Sequence, residues 1–248
     1  MTDPHARRAG LRRAAQLLGG LVLYAASIVL LVRAELGSMP WDVLSQGVVR
    51  VTGSSFGTVT VVLSFVVFAC WVPLRQRPGI GTVANVVVIG ALLDPFLALA
   101  ARLPDPLPLP AAIGLVVLGV LTNALATSLY VGARLGPGPR DGLMTGIVAR
   151  TGWPLRLVRG SIEVVVVAVG WALGGTLGFG TLAYALAIGP LVHVLLPRLS
   201  VPERAAAAAD GAGTPGATGV PALDGAAEPD AGGAGERDAG GAVEPVGR

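Results

Sequence analysis

Residues 32–47 read VRAELGSMPWDVLSQG, and residues 131–146 read VGARLGPGPRDGLMTG. Aligned without a gap, the two stretches share a Leu-Gly pair, a proline, an aspartate, a leucine and a final glycine at the same spacing. The equivalent glycines, Gly37 and Gly136, lie 99 residues apart. An offset that recurs without gaps is the signature of an internal repeat. We therefore read the chain as two related halves.

The same offset holds further along the chain. The later pairs are Thr52-Gly53 with Thr151-Gly152, Gly79-Ile80-Gly81-Thr82 with Gly178-Phe179-Gly180-Thr181, and Ile89-Gly90 with Ile188-Gly189.

The composition indicates a protein buried in a lipid bilayer. Of the 248 residues, 53% are hydrophobic and only 13% are charged, whereas soluble domains are about 25% charged. A single cysteine, Cys70, and two histidines, His5 and His193, leave no framework for a disulfide or a cysteine-based metal site. The chain carries no metal-, nucleotide- or nucleic-acid-binding motif, so we expect no cofactor and no nucleic-acid partner.

Six apolar segments are long enough to cross the bilayer as helices. They cover residues 14–32, 56–74, 79–101, 109–131, 155–173 and 179–197. Each half, 14–101 and 109–198, then holds three spans, and an odd number inverts the second half relative to the first. The sequence predicts an all-α membrane protein of two inverted three-helix repeats.

Each half also holds a short segment between its first and second spans, at 40–53 and 139–152. These segments are too short to span and predict a re-entrant or interfacial helix. With the basic residues 1–13 in the cytoplasm, most arginines fall on that side, and only Arg33, Arg50 and Arg102 fall outside. We expect a multi-pass protein of the bacterial cytoplasmic membrane with both termini in the cytoplasm.

The C-terminal region, residues 200–248, differs from the rest in composition. It is rich in Ala, Gly, Pro and acidic residues and nearly free of large apolar side chains. Such a segment cannot bury enough surface to offset the entropy of ordering. The sequence predicts a disordered cytoplasmic tail.

The chain resembles the YczE/YyaS/YitT group of bacterial membrane proteins across residues 11–198. The resemblance rests on LGSMPWDVL at 36–44, TGSSFG at 52–57 and PGIGT at 78–82. It implies a multi-spanning inner-membrane protein and does not imply a reaction. The second half departs from the pattern, because Arg140 stands at the position of Trp41.

Asp42 and Asp141 are the first candidate site residues. Each follows a proline by two positions at the start of a short helix. One interpretation is a helix cap, since a carboxylate there accepts backbone N–H bonds and meets the positive end of the helix. The other is a re-entrant half-helix that lines a substrate pathway, and a capping residue can also border such a pathway.

Glu163 lies within the fifth predicted span, where an ionisable group is costly unless paired. Its partner is either Arg159, four residues earlier on the same face, or His193 on the next helix, which would form a proton relay or coupling site. The repeat offset relates His193 to Asp94. Asp94 is alternatively the end of a helix, because it precedes a proline.

Asn85 and Asn123 stand inside apolar segments. We interpret them as packing groups that hydrogen-bond neighbouring helices, or as residues of a pore wall. No pairing of nucleophile and base is evident, so we predict that the protein is not an enzyme.

The sequence favours a permease or secondary transporter that is coupled to an ion and carries a small solute. The alternative is a membrane scaffold or accessory subunit that does not transport, in which the aspartates are caps and Glu163 belongs to a structural ion pair.

Overall fold

The computed structural model describes residues 4–202, with side chains from residue 8 onward. The segment 1–13 therefore lies partly outside the described residues. The tail predicted for 200–248 lies outside them beyond residue 202.

Residues 4–202 form eight α-helices and contain no β-strand, in agreement with the all-α prediction. The helices are α1 (Pro4–Ala34), α2 (Pro40–Thr52), α3 (Phe56–Leu74), α4 (Ile80–Ala100), α5 (Leu109–Gly132), α6 (Pro139–Thr151), α7 (Leu155–Ala172) and α8 (Phe179–Leu199).

Five helices in this part of the chain are long and apolar enough to cross a membrane: α1, α3, α4, α5 and α8. Their outer faces carry large exposed hydrophobic side chains, such as Val72, Ile80 and Phe65, as expected of a surface that faces lipid. α7 does not qualify on composition, because Arg156, Arg159 and Glu163 fall within its 18 residues. Five of the six predicted spans are thus supported.

α2 and α6 have 13 residues each, about 20 Å of helix, and are too short to span. Both begin with a proline, whose fixed φ and missing N–H suit the first turn. Both are followed by a glycine, Gly53 or Gly152, at a φ of 69°. Side chains are disfavoured at that backbone angle, so the two Thr-Gly pairs of the repeat mark where these helices stop.

The repeat offset reappears in the folded chain. α2 and α6 begin and end 99 positions apart, and so do α4 and α8. Two hydrogen bonds between the halves repeat in the same way: Gly81 N–H donates to the Leu135 carbonyl at 2.8 Å, and Gly180 N–H donates to the Leu36 carbonyl at 2.7 Å. The two halves are therefore tied together by equivalent contacts.

α1 and α5 pack along each other at the centre of the molecule, with α4 against α1 and α8 against α5. The remaining helices cross between the halves, so that α2 packs on α7 and α3 packs on α6. Small residues allow the first crossing, since a Cβ added to Gly47 would lie 2.5 Å from the Gly170 carbonyl oxygen. Close backbone approach through glycine is typical of helix packing in membranes.

The halves differ in one contact. α3 packs against α4, whereas α7 and α8 make at most a marginal contact. A Cβ on Gly90 of α4 would overlap the Val61 side chain of α3. The equivalent positions, Gly160 and Gly189, have no neighbouring atom within 4 Å of such a Cβ. The two halves thus adopt different arrangements of the same helices.

Candidate functional site

The first turns of α2 and α6 meet inside the molecule. The Arg140 guanidinium of α6 lies 3.8 Å from the Asp42 carboxylate of α2 and 5.0 Å from the centre of the Trp41 ring. Trp41 and Arg140 are the equivalent residues of the two halves. The departure from the repeat therefore builds a cation–π contact and an ion pair where the halves touch.

Asp42 does not cap α2. The residue preceding the helix is Met39, without a side-chain cap, and Asp42 occupies the third helical position. Its side chain is fully buried, and neither carboxylate oxygen accepts a hydrogen bond from the described residues. Burial raises the pKa of Asp42 to about 6, and the nearby Arg140 guanidinium offsets part of that rise. The capping interpretation is wrong here, because Asp42 is instead the counter-ion of an arginine from the other half.

Asp141 stands in the first turn of α6 with a different partner. Gly138 precedes the helix without any side-chain cap, and the Asp141 carboxylate accepts a hydrogen bond from the Tyr130 hydroxyl of α5. The equivalent of Tyr130 in the first half is Leu31, which has no hydroxyl to offer. The two aspartates therefore share a position in the repeat and differ in their surroundings.

A small cavity of about 50 Å³ opens beside the first turn of α6. Its polar wall is formed by Thr60 and Ser64 of α3, Asn85 of α4, and Arg140 and Asp141 of α6. Tyr24 and Tyr130, in edge-to-face contact with centroids 6.0 Å apart, form another part of the wall. A polar cavity among apolar helices has room for water or an ion.

Glu163 pairs with Arg159, whose Nε lies 2.8 Å from the carboxylate oxygen. His193 is exposed on α8, and within residues 8–202 no hydrogen bond or ion pair joins it to Glu163. The proposed Glu163–His193 relay is not assembled, because α7 and α8 scarcely touch. The alternative partner within the same helix is the one observed.

Asp94 does not end a helix, because α4 continues through Pro95 to Ala100. Its carboxylate accepts hydrogen bonds from Ser55 Oγ at 2.6 Å and from the Gly57 N–H at 2.9 Å. It therefore binds the N-terminal turn of α3, whose free N–H groups attract a negative charge. The prediction of a helix end at Asp94 is wrong, since tertiary packing carries the helix past the proline.

Asn123 is fully buried. It donates to Ser27 Oγ at 2.8 Å and accepts from the Tyr184 hydroxyl at 2.9 Å, which joins α1, α5 and α8. Asn85 is half-buried in the cavity wall. The first asparagine thus has the geometry of a packing group and the second that of a wall residue.

Three polar residues of the cavity wall have equivalents in the second half of the repeat. Thr60, Ser64 and Asn85 are equivalent by the offset to Arg159, Glu163 and Tyr184. In the second half these positions are filled by the ion pair and by the Tyr184 hydrogen bond. Sequence reasoning missed Thr60 and Tyr130, although the offset applied to Arg159 leads directly to Thr60.

Residues 8–202 hold no group of three or more His, Cys, Asp or Glu side chains that could bind a metal ion. The charged groups at the centre are two arginines and isolated carboxylates, which suit ion pairing, proton binding or the binding of a small solute.

A family model described as "Family of unknown function (DUF6198)" matches residues 11–197. The chain belongs to the DUF6198 family. Among similar proteins of this kind is an uncharacterized protein of Haemophilus influenzae, 38% identical over 71% of this chain and 82% of its own length.

The uncharacterized membrane protein YczE of Bacillus subtilis is 32% identical over 72% of this chain and 83% of its own length. The uncharacterized protein YyaS of the same species is 24% identical over 72% and 89%. No solved structure matches the chain. The relationship to YczE and YyaS expected from the sequence is confirmed, and this DUF6198 protein is a helical membrane protein.

Proposed function

We propose that the protein is a secondary transporter or permease of the bacterial cytoplasmic membrane, which couples the movement of a small solute to that of an ion. The observation that supports this most is the polar cavity enclosed by α1, α3, α4, α5 and the first turn of α6. Charged and hydrogen-bonding groups buried in a membrane bundle are costly, and they are typical of substrate and ion pathways. No catalytic activity is proposed.

The proposed architecture has six spans in two inverted repeats, with α7 as the sixth. The Arg159–Glu163 pair supports this assignment, because neutralising both charges on one helix face lowers the cost of placing α7 in the bilayer. Both chain ends then lie in the cytoplasm, and α2 and α6 are re-entrant helices that enter from opposite sides and meet at Trp41 and Arg140.

The unequal packing of the halves supports alternating access. In inverted repeats, an exchange of conformations between the halves opens the opposite side of the membrane. Here α3 is closed on α4 while α7 stands away from α8. In the alternative conformation, in which the two halves exchange their arrangements, α3 would separate from α4 and α7 would pack against α8.

Flux through proteoliposomes tests the proposal. The full-length protein is reconstituted and screened for uptake of small solutes under an imposed ion gradient, beside the variant Arg140→Gln. We expect uptake with the wild-type protein and its loss in the variant, which leaves Asp42 buried without a counter-ion. Asp105→Asn, an exposed substitution, is the matched control and should transport normally.

A protein that is inert to every solute tested, yet co-purifies stoichiometrically with one partner, would contradict transport and would indicate a membrane scaffold or accessory subunit.

A further inference from the structure

The cavity is too small for an ordinary organic ligand. It measures about 50 Å³, whereas pockets that bury organic ligands measure roughly 300–1,000 Å³. At roughly 10–15 Å³ for each water-sized probe, the space holds a few water molecules or one partly hydrated ion. Its size alone therefore favours an inorganic ion over a metabolite in this state of the protein.

The three carboxylates near the cavity have different partners. Asp42 is paired with Arg140, and Glu163 is paired with Arg159. Asp141 is the third carboxylate, and its side-chain partner is the Tyr130 hydroxyl instead of an arginine. The positive ends of α2 and α6 both lie near these carboxylates. Asp141 is still the one carboxylate among the residues that line the cavity, and it can bind a cation there.

Hydroxyl groups from three residues share the cavity wall with Asp141, namely those of Tyr130, Thr60 and Ser64. Tyr130 donates a hydrogen bond to the carboxylate. Ser64 Oγ donates to the Thr60 carbonyl at 2.8 Å, which leaves its oxygen lone pairs free. Hard cations prefer such ligands, namely carboxylate, hydroxyl and carbonyl oxygens.

Thr60 provides an independent observation. Its side chain is 94% buried, since only 6% of its surface is exposed, and it lines the cavity. Its Oγ1 has no hydrogen-bond partner in the described part of the chain. A buried hydroxyl without a partner is unfavourable unless ordered water or a ligand satisfies it.

We propose that this cavity binds one small monovalent inorganic cation through the Asp141 carboxylate and the hydroxyl oxygens of Thr60 and Ser64. Arg140 also borders the cavity, but Asp42 offsets its charge and the Trp41 ring covers it. The inference rests on the proposed function in one respect: the cation would be the coupling ion.

Thermal unfolding of the full-length protein in lipid nanodiscs tests the site, with Na⁺ as the probe. NaCl replaces N-methylglucamine chloride at constant ionic strength, so that only a specific ion effect remains. We expect Tm to rise with Na⁺ and then to level off, because a ligand that binds only the folded state stabilises it by mass action. A flat response in the wild-type protein would overturn the proposal.

Two variants localise the effect. Asp141→Asn should abolish the Na⁺-dependent rise in Tm. Thr60→Val should weaken Na⁺ binding about tenfold, as expected for the loss of one ligand, and should raise Tm in Na⁺-free buffer, because it removes an unsatisfied hydroxyl. Thr60→Val keeps the test usable if Asp141→Asn does not fold.

Asp94→Asn is the matched control, since that carboxylate binds the α3 N-terminus instead of the cavity. It should keep the Na⁺ response even if its Tm is lower. A response retained in Asp141→Asn, or a protein stabilised by acid and indifferent to Na⁺, would overturn the cation site.

Thermal unfolding in nanodiscs and flux through proteoliposomes, compared side by side, separate this inference from the transport proposal. Na⁺ binding without flux of any solute would support the cation site and contradict the transport proposal. Solute flux together with a Tm that does not respond to Na⁺ would support the transporter and overturn the site.

Discussion

At the scale of single residues, the polar groups inside the bundle fall into two sets. Asn123 and Asp94 are satisfied by named partners and join helices to one another. Asp42 and Thr60 are buried and lack hydrogen-bond partners within the described residues. The first set has the properties of structural residues. In the second set, Asp42 is paired with Arg140, and Thr60 lines the cavity.

Replacing Asn123 by Ala should destabilise the protein by about 1 kcal/mol, the usual range for a hydrogen bond between membrane helices. The change leaves Ser27 and Tyr184 without their shared partner. Thermal unfolding in nanodiscs measures this loss of stability. Asn85→Ala serves as the comparison and should lower stability less, because Asn85 is only half-buried. Equal losses of stability in the two variants would contradict the assignment of Asn123 as a packing residue and Asn85 as a wall residue.

The raised pKa of Asp42 predicts a pH dependence with a definite sign. The folded protein holds this proton up to about pH 6, whereas the unfolded chain releases it near 3.8, the ordinary pKa of an aspartate. The folded state therefore binds more protons between these values, so the contribution of Asp42 to stability falls as pH rises through that window. Asp42→Asn should flatten the decline of Tm between about pH 4 and 6.5. Asp105→Asn should keep the wild-type slope, and an unchanged slope in Asp42→Asn would refute the assignment.

At the scale of helices, packing depends on positions where a side chain does not fit. α2 lies against α7 through Gly47 and Gly170, and the backbone atoms approach too closely for a Cβ. The helices of a membrane protein gain little from the hydrophobic effect between them, so van der Waals contact at such points carries much of the association.

Gly47→Val should lower stability by about 1–3 kcal/mol, the usual cost of overpacking a tight contact, and should separate α2 from α7. Thermal unfolding and the yield of monodisperse protein report the loss. Gly114→Val is the matched control, since a Cβ there has no neighbour within 4 Å. Similar losses in both variants would show that the substitution acts through helix propensity and not through this contact.

The unequal packing of the halves predicts a pair of disulfide cross-links. In a Cys70→Ser background, Val61→Cys with Gly90→Cys should cross-link in the conformation described here. Gly160→Cys with Gly189→Cys should cross-link only when the protein visits the exchanged state. If the first pair blocks transport until it is reduced, the α3–α4 contact must open during the cycle. Cross-linking of the second pair at the same rate as the first would contradict the asymmetry.

At the scale of the whole molecule, helices of each half pack against helices of the other half. α2 and α6 each pack on a helix of the other half, and the two equivalent Gly–Leu hydrogen bonds join the halves at both ends. Neither half could bury its short helix alone. The chain therefore folds as one unit despite its internal repeat.

Single-cysteine labelling tests the proposed orientation. In the Cys70→Ser background, Arg75→Cys and Arg156→Cys should react with an impermeant maleimide only in inside-out vesicles. Arg50→Cys and Arg102→Cys should react in intact cells. These assignments follow from the distribution of arginines, and Arg75→Cys reacting on the opposite side from Arg156→Cys would rule out the inverted arrangement.

Much of the fold is predictable from the sequence, because helices in apolar segments follow from length and hydropathy. The short segments predicted at 40–53 and 139–152 correspond to α2 and α6 with their following glycines, since proline and glycine act locally. The site is harder to predict. The pairing of Asp42 with Arg140 depends on contact between the halves, and the failure of Glu163 to reach His193 depends on the gap between α7 and α8. Neither spacing nor the repeat offset contains that information.

The contact between Trp41 and Arg140 bears on why one polypeptide carries both halves. These residues occupy the same position in each half and touch each other. In a homodimer of separate single-repeat chains, any residue at this point would meet its own copy, so that two guanidinium groups would repel or two indoles would leave Asp42 without a counter-ion. In a single chain the two copies of this position can carry different residues, and here they carry a tryptophan and an arginine that attract each other.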